Sequence, residues 1–489
     1  MRIFLVLLAG FLLLGVQSLG QTALPAFIGA QGFGALATGG RGGRVIAVTN
    51  LRASGAGSLQ DALNQAGSRT IVFGVSGVIE GVPIVSRGDV TIAGQTSPNG
   101  ITVRGLLIQG DEVCEADDCP LPKIAPSNVI VRFLRSRATL DGDGLRLHRA
   151  KKVIVDHFSV GNANDEAVQI SFSSDLTIQN SLLAETLGDH NDLGGMLLNY
   201  ADPKRNFPLT RISVHHNVWT RIGGRIPELS RENPSATGSS MDIEISNNIF
   251  HDHTFPIWFG NTSLVNAPEN GYNRAPIYYR ANLIGNYSLQ NPNNSTSVGL
   301  ITLEGAGNPD TGYLPANTPS QFFLQDNQTN LTAARDWQLV YCCNDFRDAM
   351  RDKTMPFAST KPSWAAVKRL GFPSISYTPV GQLLEYSRKN VGMRPWDAFD
   401  ARVMQFVVSN RFDTTSRSIN PANDALKTVS ALAAPKDTDT DGMADAWEVQ
   451  NGLNPRVADQ NGIQLSPKIL GVAGYTNLEV YLESLTKNR

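Results

Sequence analysis

The chain has 489 residues, 41% of them hydrophobic, with 42 basic residues against 44 acidic ones and a formal charge of −2. That length exceeds the usual single-domain size, so a large core plus a smaller unit is expected. The near-neutral balance excludes a global electrostatic grip on nucleic acid or an anionic membrane, and any anionic substrate has to be held by a local cluster.

In chain order, residues 1–20, "MRIFLVLLAGFLLLGVQSLG", combine one arginine, an apolar run and small residues at Ser18 and Gly20. The run is too short for a membrane span and reads as a cleaved signal peptide, with an uncleaved anchor as the alternative. No later stretch reaches the length of a span, so a secreted, extracellular protein is expected; a monomer is the expected state. Export makes the four cysteines eligible to oxidise. Cys114 and Cys119 can close a small acidic loop and Cys342 and Cys343 are adjacent, but three connectivities stay open. Sequons at Asn261, Asn286, Asn293, Asn294, Asn327 and Asn330 predict glycans in a eukaryotic host.

Residues 21–435 begin with glycine turns and short β-branched runs, and "SGAGSLQDALNQAG" supplies one short amphipathic helix. Helix-length periodicity then gives way to a recurring strand followed by polar residues: "VIVRFLRS", "VIVDHFSV", "LTIQNSLL", "ISVHHNVW", "IEISNNIF" and "IYYRANLIG". Centred on Val131, Val155, Ile178, Val214 and Ile245, the runs step by 24, 23, 36 and 31 residues. The shorter steps match one coil of a solenoid and the longer ones a coil with an enlarged turn. Alternation points Val, Ile and Leu inward, and the Asn-rich ends suit a stacked side-chain ladder at a bend. The expected fold is all-β, a right-handed parallel β-helix. A β-sandwich is the alternative, but its spacing of 8–12 residues explains the steps poorly. Residues 265–430 are less regular and are expected to be long loops packed across the solenoid.

At Lys436 the composition shifts to a small module of short helices, residues 436–489. "DTDTDGMADAWE" fits a twelve-residue EF-hand-type calcium loop, with Asp437, Asp439 and Asp441 at positions 1, 3 and 5, Gly442 at 6, Asp445 at 9 and Glu448 at 12. An acidic linker is the alternative. "GYTNLEVYLESL" resembles the exit of a second loop, but Ile469, Gly471 and Ala473 stand where carboxylates belong. The module therefore reads as a structural calcium clip.

Chemistry is expected on the coils. Asp141 and Asp143, Asp156 and His157, and Asp165 and Glu166 lie about two dozen residues apart, so stacking makes Asp143 and Asp165 neighbours on one face. Such carboxylates repel unless a hard cation such as Ca²⁺ intervenes. All seven histidines fall between His148 and His253, where structural hydrogen bonding is favoured over a transition-metal site. Two coils later "RIGGRIPELSR" gathers Arg221, Arg225 and Arg231 around Glu228. A carboxylate-bound cation beside guanidinium groups suits a polymer of sugar acids.

With these blocks the chain resembles polysaccharide lyase family 1, the pectate lyases, and in particular the fungal pectate lyase C type. The opening "GFGALATGGRGGRVIAVTNLRASGAGSLQDAL", "VIVDHFSV…NDEAVQI", "GRIPELSR" and the C-terminal tail carry the likeness, while residues 260–430 match weakly. The resemblance implies a right-handed parallel β-helix and calcium-assisted β-elimination of (1→4)-α-D-galacturonan. It implies Arg225 as the group that removes the C5 proton, Arg231 and Arg221 as substrate contacts, and Asp141, Asp143 and Asp165 as calcium ligands. Gln169 replaces a fourth family carboxylate, and a substrate-binding lysine has no counterpart near "GDHNDLGG". The competing readings are a metal-independent pectin lyase or other β-helix uronan-modifying enzyme, and a non-catalytic carbohydrate-binding β-helix.

Overall fold

The computed structural model describes residues 23–114, 119–138, 142–186, 194–231, 233–253, 255–260, 262–265, 273–293, 299–303, 319–342, 361, 365–412 and 432–487. The expected first helix forms as α1, Leu59–Asn64, with Ser58 accepting from Asp61 N at its start. The chain then coils. The described residues build three parallel sheets: sheet A of ten strands, Arg44–Val48 to Gln321–Gln325; sheet B of nine, Gly77–Ile79 to Gln328–Thr329; and sheet C of nine, Ile84–Val85 to Val340–Cys342. Each coil contributes one strand to each sheet, which makes a right-handed parallel β-helix.

The residues that mark the sequence repeat are the residues that pair. In sheet A, Val131 is in register with Val155, Val155 with Ile178, Ile178 with Val214 and Val214 with Ile245. All are fully buried, because alternation sends every second side chain inward, where like residues stack. The register continues from Ile245 to Leu283 and from Leu283 to Leu324. The expectation of mere loops over residues 265–430 is therefore corrected: coils persist to Cys342, hidden in the sequence by their longer turns. Two helices missing from the sequence reading follow, α2 (Leu383–Asn390) and α3 (Ala398–Val408). Leu383, Phe399, Val403 and Val407 bury against Leu182, Val218, Ile249 and Leu289 of sheet B.

Between sheets A and B the chain turns through one left-handed residue per coil, among them Phe133, His157, Asn180, His216 and Asn247, with φ between 50° and 57°. Just beyond it stands the expected asparagine ladder. Asn217 Nδ2 donates to Asn248 Oδ1 (3.0 Å), Asn248 Nδ2 to Asn286 Oδ1 (3.1 Å) and Asn286 Nδ2 to Asn327 Oδ1 (2.9 Å). Asn286 and Asn327 are fully buried in it, which removes two of the six sequons as glycan acceptors in the folded chain.

Cys114 and Cys119 form a disulfide with a Cα–Cα distance of 5.7 Å. Residues 1–20, Cys343, Asn261 and Asn294 lie outside the described residues. No helix among the described residues is long and apolar enough to cross a membrane. In the C-terminal module, helix α5 (Asn477–Ser484) carries Leu478, Tyr481 and Leu482 onto Ala93 of sheet A, joined by Met443, which precedes α4 (Asp445–Asn451). Arg41 pairs with Glu479 at 2.7 Å and Arg132 with Glu483 at 3.2 Å across the same junction.

Candidate active site

The site occupies the corner from sheet B to sheet C on neighbouring coils. Asp143 precedes the strand Leu145–His148, Asp165 and Glu166 precede Val168–Ser171, and Arg225 precedes Glu228–Leu229. Because Leu145 pairs with Val168, Asp143 and Glu166 stand at the same register position. Asp143 Oδ1 accepts from Glu166 N at 3.2 Å, and Asp165 N donates to Gly142 O at 3.3 Å. Met196, one coil beyond Val168, donates its N–H to Arg225 O. Arg225 is thus two coils from Glu166, roughly 10 Å along the axis, a gap its long side chain spans.

Carboxylate oxygens of Asp143, Asp165 and Glu166 lie within 4.8 Å of one another. Asp143 and Glu166 are buried and Asp165 is exposed, so the cluster opens to solvent on one side. Three adjacent carboxylates repel, and an all-oxygen donor set without sulfur or imidazole fits a hard divalent cation. Arg225 supplies one positive charge: its Nη1 donates to Glu166 Oε1, and its Nε donates to Glu228 Oε2 at 3.1 Å. Next to this corner, register places Arg146, Gln169, Leu197, Glu228 and Trp258 in one row across sheet C. Their neighbours Leu145, Val168, Leu198 and Leu229 belong to the interior core, so the row points away from that core. Gln169, expected as a replaced calcium ligand, stands in this row, 7% exposed.

Several expected residues fall elsewhere. Asp141 and residues 187–193, which hold most of the lysine-less "GDHNDLGG" stretch, lie outside the described residues. Asp156 and His157 sit at the corner between sheets A and B, away from the acidic cluster. There Asp156 is fully buried and accepts from Arg132, Gln179 and Asn180. Burial opposes its charge, but His157, Arg132 and these donors outweigh burial and hold it well below the usual carboxylate range.

Arg221 and Arg231 need correction as substrate contacts. Arg221 turns the corner with φ 57°, and its Nε lies 2.7 Å from Glu185, which also pairs with Arg402 of α3. It is buried on the helix-covered side. Arg231 is fully buried and donates to Ser239 O (3.1 Å), Ser239 Oγ (3.0 Å) and Tyr278 O (2.6 Å), with its guanidinium 4.6 Å from the Tyr279 ring centroid. Those bonds make it an internal strut joining neighbouring coils. Burial pushes its guanidinium below the ordinary arginine value.

In the C-terminal loop, oxygens of Asp437, Asp439 and Asp441 lie within 4.8 Å of one another, as the motif predicts. Burial and the neighbouring carboxylates push Asp441 up to about 6 and Glu448 up to about 7. Asp445 departs from its expected place. It accepts from Thr438 N and Oγ1 and from Lys436 Nζ, which hold it at the loop entrance.

Three contacts lie beyond the sequence expectations. The acid pair Asp165 and Glu166 carries no sequence sign that Glu166 meets Arg225. Glu228 stands three residues from Arg225, and this nearness is the one signal for that pair. Asp459 gave no signal, because only the fold brings it to Asp441 and Glu448.

No family model matches the chain. Among curated proteins it is 31% identical over 476 residues to "Probable pectate lyase C" of Emericella nidulans, covering 95% of this chain and 93% of that one. The chain belongs to the pectate lyase family. A protein of the same description from Aspergillus fumigatus is 30% identical over 473 residues, covering 95% and 94% of the two chains. Among solved structures, a pectate lyase from Bacillus sp. N165 in complex with trigalacturonate is similar at 15% identity and a TM-score of 0.42, covering 74% of this chain and 98% of that one. Like its curated pectate lyase relatives, the chain is a polysaccharide lyase.

Proposed function

We propose that the chain is a secreted, calcium-dependent pectate lyase that cleaves (1→4)-α-D-galacturonan by β-elimination and leaves 4,5-unsaturated oligogalacturonides. The observation that carries this reading is the convergence of Asp143, Asp165, Glu166 and Arg225 at one corner of neighbouring coils beside an outward-pointing row of sheet C. Asp143, Asp165 and Glu166 would hold the cation; Gln169, in the adjoining row, is neutral and leaves that set one carboxylate short. Calcium, when bound, supplies a Lewis acid that neutralises a uronate carboxylate and acidifies the hydrogen on the adjacent C5.

Arg225 takes the C5 proton. Its Nε–Glu228 bond fixes the direction of the guanidine, with Nη1 on Glu166 of the acidic cluster. The C5–H electron pair becomes the C4–C5 double bond as the C4–O4 bond breaks, and the departing oxygen is protonated from solvent. The N-terminal apolar run supports export.

The test is the rate at which ultraviolet absorbance of unsaturated uronide appears from polygalacturonate. Arg225→Lys keeps the charge but loses the two-point hold on Glu166 and Glu228, and its rate should fall by ~10²-fold or more. A rate near wild type would remove Arg225 from the proton transfer. Persistence of full activity in chelator would favour the metal-independent pectin lyase reading instead.

A further inference from the structure

The C-terminal loop holds an anomaly that the twelve-residue pattern does not explain. Glu448 is fully buried, and neither of its carboxylate oxygens has a hydrogen-bond partner. A carboxylate removed from water without a donor costs several kcal/mol, and the cost grows with other carboxylates beside it. Glu448 has such neighbours: its oxygen, one from Asp441 and one from Asp459 lie within 4.8 Å of one another. Asp459 lies eleven residues past the end of the loop.

The remaining contacts separate the two candidates for the missing ligand. Asp445 occupies position 9 but is held by Thr438 and by the ammonium of Lys436, whose charge would repel a nearby divalent ion. Asp459 is fixed toward the loop: its N–H donates to Asp441 Oδ2 at 3.2 Å. On its other side, Asn477 Nδ2 donates to Asp459 O (3.0 Å) and Oδ1 (3.2 Å), and Asn477 begins α5. α5 is the helix that docks on sheet A through Leu478, Tyr481 and Leu482 and through the Arg41–Glu479 and Arg132–Glu483 pairs.

We infer that the calcium seat of this module is composite, with Asp459 taking the place of Asp445 beside Asp441 and Glu448. The bound ion then cross-links the loop to the segment that anchors α5, and so fastens the module to the β-helix. This rests on reading the loop as a calcium clip, and it changes which residues form that clip and what the clip holds.

Terbium(III) bound to the full-length chain is the probe, with its emission sensitised by Trp447, the residue before Glu448, and Trp447→Phe as the blank. Asp459→Asn should weaken terbium binding by ~10-fold or more, while Asp445→Asn should change it by less than about twofold. Thermal melting guards against a folding defect. In chelator, Asp459→Asn should melt at or above the wild-type temperature, because one repelling carboxylate is gone. Added calcium should raise the melting temperature of wild type and Asp445→Asn but not of Asp459→Asn. Strong weakening by Asp445→Asn with Asp459→Asn unaffected overturns the composite seat and leaves the twelve-residue clip standing. Absence of Trp447-sensitised binding in wild type overturns both. A chelated Asp459→Asn chain that shows no folding transition also contradicts the inference.

Discussion

Glu166 serves two positive partners, the cation expected beside Asp143 and Asp165 and the guanidinium of Arg225. The guanidinium of Arg225 donates to it, which occupies a donor that the substrate would otherwise meet. Cation and arginine therefore compete for one carboxylate. Arg225→Met should tighten calcium binding at this site severalfold, by roughly 1 kcal/mol or more given the strength of a partly buried pair. Isothermal titration of the binding component that Asp165→Asn removes is the check; unchanged or weaker affinity would mean that Glu166 bridges both partners and does not choose between them. Arg231 shows the opposite situation. Its guanidinium is spent on three acceptors within the fold, so an arginine in the right sequence block need not face the substrate.

The sheet A–B corner shows how an element is held by a repeated polar contact. Each of Asn217, Asn248 and Asn286 accepts through its oxygen from the previous coil, and its Nδ2 donates both to the next ladder oxygen and to a backbone carbonyl, as Asn248 does to Val214 O. Asn248 also accepts from Asn217 N. Asn248→Ala would orphan the Asn217 backbone N–H in a dry interior and take one donor each from Val214 O and Asn286 Oδ1. It should lower stability by about 2–4 kcal/mol, measured by denaturant unfolding, against less than about 0.5 kcal/mol for an exposed asparagine such as Asn293. Equal losses at the two positions would make the ladder ornamental. α3 is the element most plainly overlooked. Asp397 caps it by accepting from Asp400 N, and Phe399, Val403 and Val407 recur at four-residue spacing along its buried face, but the segment sits among irregular residues that drew attention to loops.

Across the whole molecule, the β-helix was legible because a solenoid repeats its own contacts. Val131, Val155, Ile178, Val214 and Ile245 share a sequence role and a register line for the same physical reason. Legibility failed where turns lengthened, as beyond Leu283, and wherever a contact depended on which way a side chain left the coil. Asp143, Asp165 and Arg225 could be placed on one corner by counting coils. The burial of Arg221 and Arg231, the pairing of Arg225 with Glu166 and the approach of Asp459 to Glu448 depend on packing that no local pattern encodes. The most direct measurement is the initial rate of unsaturated uronide formation from polygalacturonate, with calcium and with chelator, for wild type and for Asp165→Asn. Calcium-dependent release by wild type, and a rate lowered by ~10²-fold in Asp165→Asn at the same calcium concentration, is the expected result. Calcium-independent release, or an Asp165→Asn rate equal to wild type, would contradict a lyase site built at the corner of sheets B and C.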